Sequence, residues 1–218
     1  MEIFNNDLAF QAKKYKNSKI EYSNELRELL KGVCQCYKLL IKDKIRVSRS
    51  ENMIRDILVD DYLSKNIKNY KFKKEETSNL GRVDIFIQKT FTDEKPDFII
   101  ECKILDNKNT DGIEGLNAKY IKNGIQRFLS EHYYSYNDFY INAMIGFVVD
   151  KMDIVQNIAS INNLSKKILN NLVEITQDIE LIESKVYQSQ YKSYNNKEFI
   201  IYHQMMDFSN NIIIKESV

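Results

Sequence analysis

Gly81–Lys103 reads GRVDIFIQKTFTDEKPDFIIECK, two alternating apolar runs joined by a polar turn. Alternation with a period of two marks a β-strand, in which residues i and i+2 point to one face. In the first run Val83, Ile85 and Ile87 are expected to share one face, with Asp84 on the other. In the second, Glu101 and Lys103 project together, while Ile100, Cys102 and Ile104 point the opposite way. A hairpin with strands at about 82–91 and 97–105 brings Asp84 against Glu101 and Lys103. Two carboxylates and one ammonium then share a small volume on one sheet surface. Paired carboxylates can hold Mg²⁺ through oxygen, and a metal-bound water is a stronger nucleophile. A neighbouring ammonium can orient that water or stabilise charge developing on a phosphate. The plain alternative is an ordinary Glu/Lys pair on a strand face, since ExK is frequent in a lysine-rich chain.

Asp84 followed by Glu101-Cys102-Lys103 resembles the motif of the PD-(D/E)xK nuclease superfamily, the restriction-endonuclease-like fold. Asp84 matches the motif's first Asp, and Glu101, Cys102 and Lys103 match its (D/E)xK. Val83 stands where the motif has Pro, and Pro96-Asp97 lies too close to Glu101 to serve instead. The resemblance covers about residues 51–150. It implies Mg²⁺-dependent phosphodiester hydrolysis, with Mn²⁺ able to substitute and DNA as the expected substrate. Asp84 and Glu101 would bind metal, and Lys103 would orient the attacking water. In many members a Glu on the helix before the hairpin adds a metal ligand, and Glu51 is the best match. Compensation of the helix dipole explains Glu51 equally well. YIKNGIQRF, residues 120–128, resembles the helix that follows ExK, where a polar or basic stripe faces substrate. Tyr120 and Arg127, seven apart, fall on one side of it. They are the nucleic-acid-binding candidates, against the alternative that Arg127 is simply paired with an acid. The implied setting is bacterial or phage defence or restriction.

Length and composition fit this class. A chain of 218 residues, 43% hydrophobic and 29% charged, can bury a sizeable core. No run reaches the roughly 18–20 apolar residues of a membrane span, and the N-terminus does not read as a secretory signal. Three Cys argue against a disulfide framework and for a cytoplasmic setting, and Cys34-Gln35-Cys36 is too short and isolated for a zinc site. The net charge of +1 does not by itself advertise nucleic-acid binding. Residues 12–49 are locally basic, with 11 Lys/Arg against 4 Asp/Glu.

Along the chain, helices are expected over 4–16 and 23–43. Ser23 or Asn24 would cap the second, and Leu26, Leu29, Leu30, Val33, Tyr37, Leu40 and Ile41 would form its apolar stripe. A helix over 50–64 follows, with Ser48 and Glu51 at capping-box spacing. Then come a strand at 67–77, a turn at 79–81, the hairpin, a polar loop at 106–112 and a long helix over 114–135. The almost continuously apolar run 140–149 suits a buried central strand. A helix over 150–172 and strands at 181–191 and 198–208 complete the chain. His203 reads as a structural histidine more readily than as a base, and nothing fixes where Glu75 and Glu76 point. The fold class is α/β: a restriction-endonuclease-like core, a central mixed β-sheet flanked by helices in the order α-β-β-β-α-β. A single domain 1–218 is expected, with a helical extension 1–47, a core 48–150, and an addition 151–218 of one helix and a C-terminal β-hairpin. Two rival functions stay open: a non-catalytic nucleic-acid-binding module of this fold, and a protein-interaction subunit of a larger complex. A homodimer or another protein partner is compatible with the sequence, and a membrane is not expected.

Overall fold

The computed structural model describes residues 2–78, 81–90, 97–131 and 139–213. Helix α1 (Glu2–Lys42) is continuous where two helices were expected. The intervening 17–22, NSKIEY, contains no Gly or Pro to stop it. Ser23 is therefore inside the helix and does not cap it; its hydroxyl shares a 2.8 Å hydrogen bond with the Tyr202 hydroxyl. Helix α2 (Glu51–Ile57) continues through a π-helical segment, Leu58–Leu63, to Ser64–Asn66. Its N-cap is Ser50, not Ser48: the Ser50 hydroxyl accepts from the Met53 amide at 3.4 Å.

The strands are β1 (Tyr70–Ser78), β2 (Gly81–Lys89), β3 (Phe98–Leu105) and β4 (Ile141–Val148). They are followed by β5 (Thr176–Gln177), β6 (Val186–Lys192) and β7 (Glu198–Asp207). Together they form one mixed sheet in the order β1-β2-β3-β4-β7-β6-β5. β3, β4 and β7 run parallel, and the other neighbours are antiparallel. β4 is buried throughout, as its apolar run, interrupted only by the buried Asn142, requires of a central strand. Between β3 and β4 lies α3, made of Leu116–Tyr120, a π-helical turn Ile121–Ile125 and Gln126–Leu129. It is shorter at its start than the sequence suggested, and residues 132–135 of that expectation lie outside the described residues. After β4 comes α4 (Ile154–Leu169), with Asp153 as its N-cap. Ile179–Ser184 is a 3₁₀ helix, so the strand expected from 181 starts only at Val186, after Lys185 adopts a left-handed turn. The short β5 was not foreseen, and the turn expected at 79–81 falls partly outside the described residues.

The sheet buries both faces. One carries Ile85, Ile87, Phe98, Ile100, Cys102, Ala143, Ile145 and Phe147 against α1 and α2. The other carries Val83, Phe86, Ile99 and Met144 against α3 and α4. Each fully buried Ile or Phe contributes roughly 1.5–3 kcal/mol, so the two layers hold the sheet from both sides. Val83 is thus on the opposite face from Ile85 and Ile87, contrary to strict alternation. The register with β1 is the same on both sides of Asp84, but β1 is distorted opposite it: Glu75 has φ +54°. Among the described residues no helix is long and apolar enough to cross a membrane.

Candidate active site

The β2–β3 ladder runs from Ile87↔Phe98 only as far as Ile85↔Ile100. Beyond it the next two amides on that edge of β3 would lack strand partners, and two carboxylates take them. Asp84 Oδ2 accepts from the Cys102 amide at 2.9 Å, and Glu51 Oε2 accepts from the Ile104 amide at 3.0 Å. The frayed end of the hairpin therefore gathers acidic side chains from β2 and from the first turn of α2. A buried amide must be paired, which fixes one oxygen of each carboxylate.

Glu101 is fully buried. Its Oε1 accepts from Lys103 Nζ at 2.7 Å and from Arg127 Nη1, on α3, at 2.9 Å. Lys103 Nζ also lies 3.4 Å from Glu51 Oε1, 3.5 Å from Asp84 Oδ2 and 2.5 Å from the Cys102 carbonyl oxygen. Burial opposes its charge, but Glu101, Asp84 and Glu51 outweigh that, and the Lys103 pKa is raised. Lys103 is thus an ammonium ringed by three carboxylates and a carbonyl. The sequence-derived candidates Asp84, Glu101, Lys103 and Glu51 converge on this point, and Arg127 reaches it through Glu101.

Tyr120 does not. Its exposure is 0%, and its hydroxyl bonds His203 Nδ1 at 2.8 Å beneath α3. Its place on a substrate-facing stripe is corrected: the π-helical turn between Tyr120 and Arg127 spoils the simple seven-residue spacing. The other nitrogen of His203, Nε2, is 2.7 Å from Ser189 Oγ. Burial pushes the His203 pKa down to about 3, so the ring is a neutral structural link between α3, β6 and β7. Asp97, of the rejected Pro-Asp pair, is buried before β3 and lends its carbonyl to the Tyr22 hydroxyl at 2.8 Å. Cys34, Cys36 and Cys102 are free thiols.

One residue at the site was missed. Arg55, on α2, donates from Nη1 to Asp84 Oδ1 at 3.4 Å. The available signal was its spacing: it follows Glu51 by four residues and so shares its helix face.

The donors around the Lys103 ammonium are all hard oxygens, the set that Mg²⁺ prefers. Among the described residues no group of three or more His, Cys, Asp or Glu side chains is placed to hold a metal ion; the Lys103 ammonium stands among the carboxylates. A position that already favours one positive charge fits a divalent cation provided Lys103 moves aside, and on donor chemistry Asp84, Glu101 and Glu51 fit that role.

A model described as the PD-(D/E)XK nuclease superfamily matches residues 49–137, the segment that holds Glu51, Asp84, Glu101, Lys103 and Arg127. No curated protein and no solved structure matches the chain. Over residues 49–137 the chain resembles the PD-(D/E)XK nuclease superfamily, and its seven-stranded mixed sheet flanked by helices is consistent with the restriction-endonuclease-like fold.

Proposed function

We propose that this chain is a Mg²⁺-dependent nuclease that hydrolyses phosphodiester bonds of DNA, in bacterial or phage defence. The observation that carries the reading is the meeting of Glu51, Asp84 and Glu101 around Lys103 Nζ, within 2.7–3.5 Å. Such an assembly of like charges is costly unless a cation offsets it. Asp84, Glu101 and Glu51 would hold Mg²⁺, which when bound would supply water activation and charge neutralisation at the phosphate. Lys103 orients the attacking water and, by a charge-assisted hydrogen bond, stabilises the extra negative charge that develops on the phosphoryl oxygens. Arg127, whose side chain is 42% exposed, has a planar charged fork suited to a substrate phosphate. Residues 48–150 form the nuclease core of a single domain, with 1–47 and 151–218 as additions.

The test is cleavage of circular and linear DNA in Mg²⁺ or Mn²⁺ by the wild type, Asp84→Asn and Glu101→Gln. The expected result is metal-dependent cleavage by the wild type and its loss in both variants. Each variant should keep its fold by circular dichroism. Cleavage that persists in chelator, or in both variants, rejects the assignment.

A further inference from the structure

Arg55 has no part in the reading above, yet it is 2% exposed. A guanidinium cannot shed its charge in a protein, so its burial has to be met by acceptors. Three carboxylates meet it. Nε donates to Asp56 Oδ1 at 2.9 Å, Nη2 to Glu75 Oε1 at 3.1 Å and Nη1 to Asp84 Oδ1 at 3.4 Å. Arg55 lies one turn beyond Glu51, so α2 sends both residues towards the same end of the hairpin.

Glu75 carries a second, independent mark. Its φ of +54° falls inside the nine-residue strand β1. Lys74 pairs with Ile85 and Glu76 with Val83, which sets Glu75 opposite Asp84, and that pair alone is missing from an otherwise continuous ladder. A left-handed backbone is unfavourable for Glu and persists where its surroundings over-determine it. Here the side chain is taken by Arg55 and, at 3.4 Å, by Arg82 Nη1. The distortion sits directly opposite Asp84.

We propose that Arg55, held in place by Glu75, is a positioning residue for the Asp84 carboxylate. The proposal deepens the nuclease reading and rests on it. Asp84 Oδ2 is held by the Cys102 amide and lies 3.5 Å from Lys103 Nζ, but contacts to one oxygen leave the carboxylate free to turn about its broad terminal torsion. Arg55 Nη1 on Oδ1 adds the second restraint and sets the carboxylate plane. Asp56 and Glu75 fix the plane of the guanidinium in turn. The rigid fork matters, because a guanidinium presents its donors in one plane at fixed separations, whereas a lysine's three donors rotate about a single nitrogen. Arg55 thus supports a ligand from behind, as partners of metal-bound side chains do, whose removal weakens metal binding roughly 10–100-fold.

The experiment is calorimetric titration of the full chain with Mn²⁺ alone, well below each variant's melting temperature. Wild type, Arg55→Met, Arg55→Lys, Glu75→Gln and Glu101→Gln are compared. Arg55→Met and Arg55→Lys should both weaken Mn²⁺ binding by about tenfold or more. Glu75→Gln, at a half-exposed position, should weaken it by a smaller factor in the same direction. Unchanged or tighter binding in Arg55→Met would mean that Arg55 is a counter-charge or a packing residue, and would overturn the proposal. Wild-type affinity in Arg55→Lys would overturn it too, since a point charge would then suffice. Should neither Arg55 variant fold, wild-type affinity in Glu75→Gln decides against it. Glu101→Gln separates the two readings. If it alone loses Mn²⁺, only the role of Arg55 falls; if it binds as the wild type does, the metal-dependent nuclease falls, and this role with it.

Discussion

Replacing Lys103 by Met should make the chain less stable without metal and more responsive to it. Met keeps most of the aliphatic stem and removes the ammonium. Glu101 is fully buried and is held at 2.7 Å by Lys103 and at 2.9 Å by Arg127. The variant leaves it one of these two cations. A buried acceptor that loses one partner costs about 1–3 kcal/mol, which for a chain of this size lowers Tm by roughly 2–12 °C. The same change removes a positive charge that stands 2.7–3.5 Å from Glu101, Glu51 and Asp84. A divalent cation no longer competes with it, so Mn²⁺ should bind about tenfold more tightly or better. Mn²⁺ at 100 times its Kd stabilises a protein by about 2.7 kcal/mol, and a tenfold gain adds about 1.4 kcal/mol at the same concentration. The Mn²⁺-induced rise in Tm should therefore be larger in Lys103→Met than in the wild type, by roughly 3–5 °C. DNA cleavage should nevertheless fall by about 10²-fold or more, because the group that serves the transition state is gone. The assay is differential scanning calorimetry with and without Mn²⁺, alongside cleavage rates. An equal or smaller Mn²⁺ shift in the variant would refute the placing of Lys103 at the cation position. Wild-type cleavage would refute its part in the chemistry.

Arg127→Ala should weaken DNA binding in Ca²⁺ and reduce the salt slope by about one phosphate contact, with Arg127→Lys as the control that keeps the charge; an unchanged slope would leave Arg127 only as the partner of Glu101. Tyr120→Phe removes a buried hydrogen bond to His203 and should cost about 1 kcal/mol in urea unfolding with cleavage and DNA affinity close to the wild type, whereas a loss of affinity without a loss of stability would return Tyr120 to the substrate face. His203, with its pKa lowered to about 3 from 6.5, takes up a proton in the unfolded chain before it does so in the folded one. Its contribution is therefore full above pH 6.5 and lost as pH falls from there towards 3, at about 1.4 kcal/mol per pH unit; His203→Gln should flatten that part of the stability profile, and an unaltered slope would show that the ring is not held neutral.

The hairpin and the central strand were legible because their information is local. A period of two from about residue 82 and an almost continuous apolar run over 140–149 each name a strand from a few neighbouring residues. The capping error at α2 has the opposite origin. Ser48 and Ser50 both precede the helix, and the choice between them depends on how the chain arrives from α1. Val47 is fixed by a bridge to Ile212, far along the sequence. Tyr120 was misplaced for a related reason. Helical spacing assumes 3.6 residues per turn, and the π-helical turn at Ile121–Ile125 departs from it. Asp84, Glu101 and Lys103 could be found because they lie on one hairpin and share a motif. Arg55 could not be singled out that way, since a lone Arg on a helix usually meets solvent. Its burial follows from Glu75, whose left-handed φ no propensity for Glu would suggest. The cluster is closed by contacts that span 20 to 53 residues, from Arg55 to Glu75 and Asp84 and from Glu51 to Ile104. The ladder between β2 and β3 ends just where those carboxylates are needed. A longer ladder would pair the amides of Cys102 and Ile104 with backbone carbonyls and take from Asp84 and Glu51 their backbone donors. The early end of the hairpin is thus what turns an ordinary strand pair into a site.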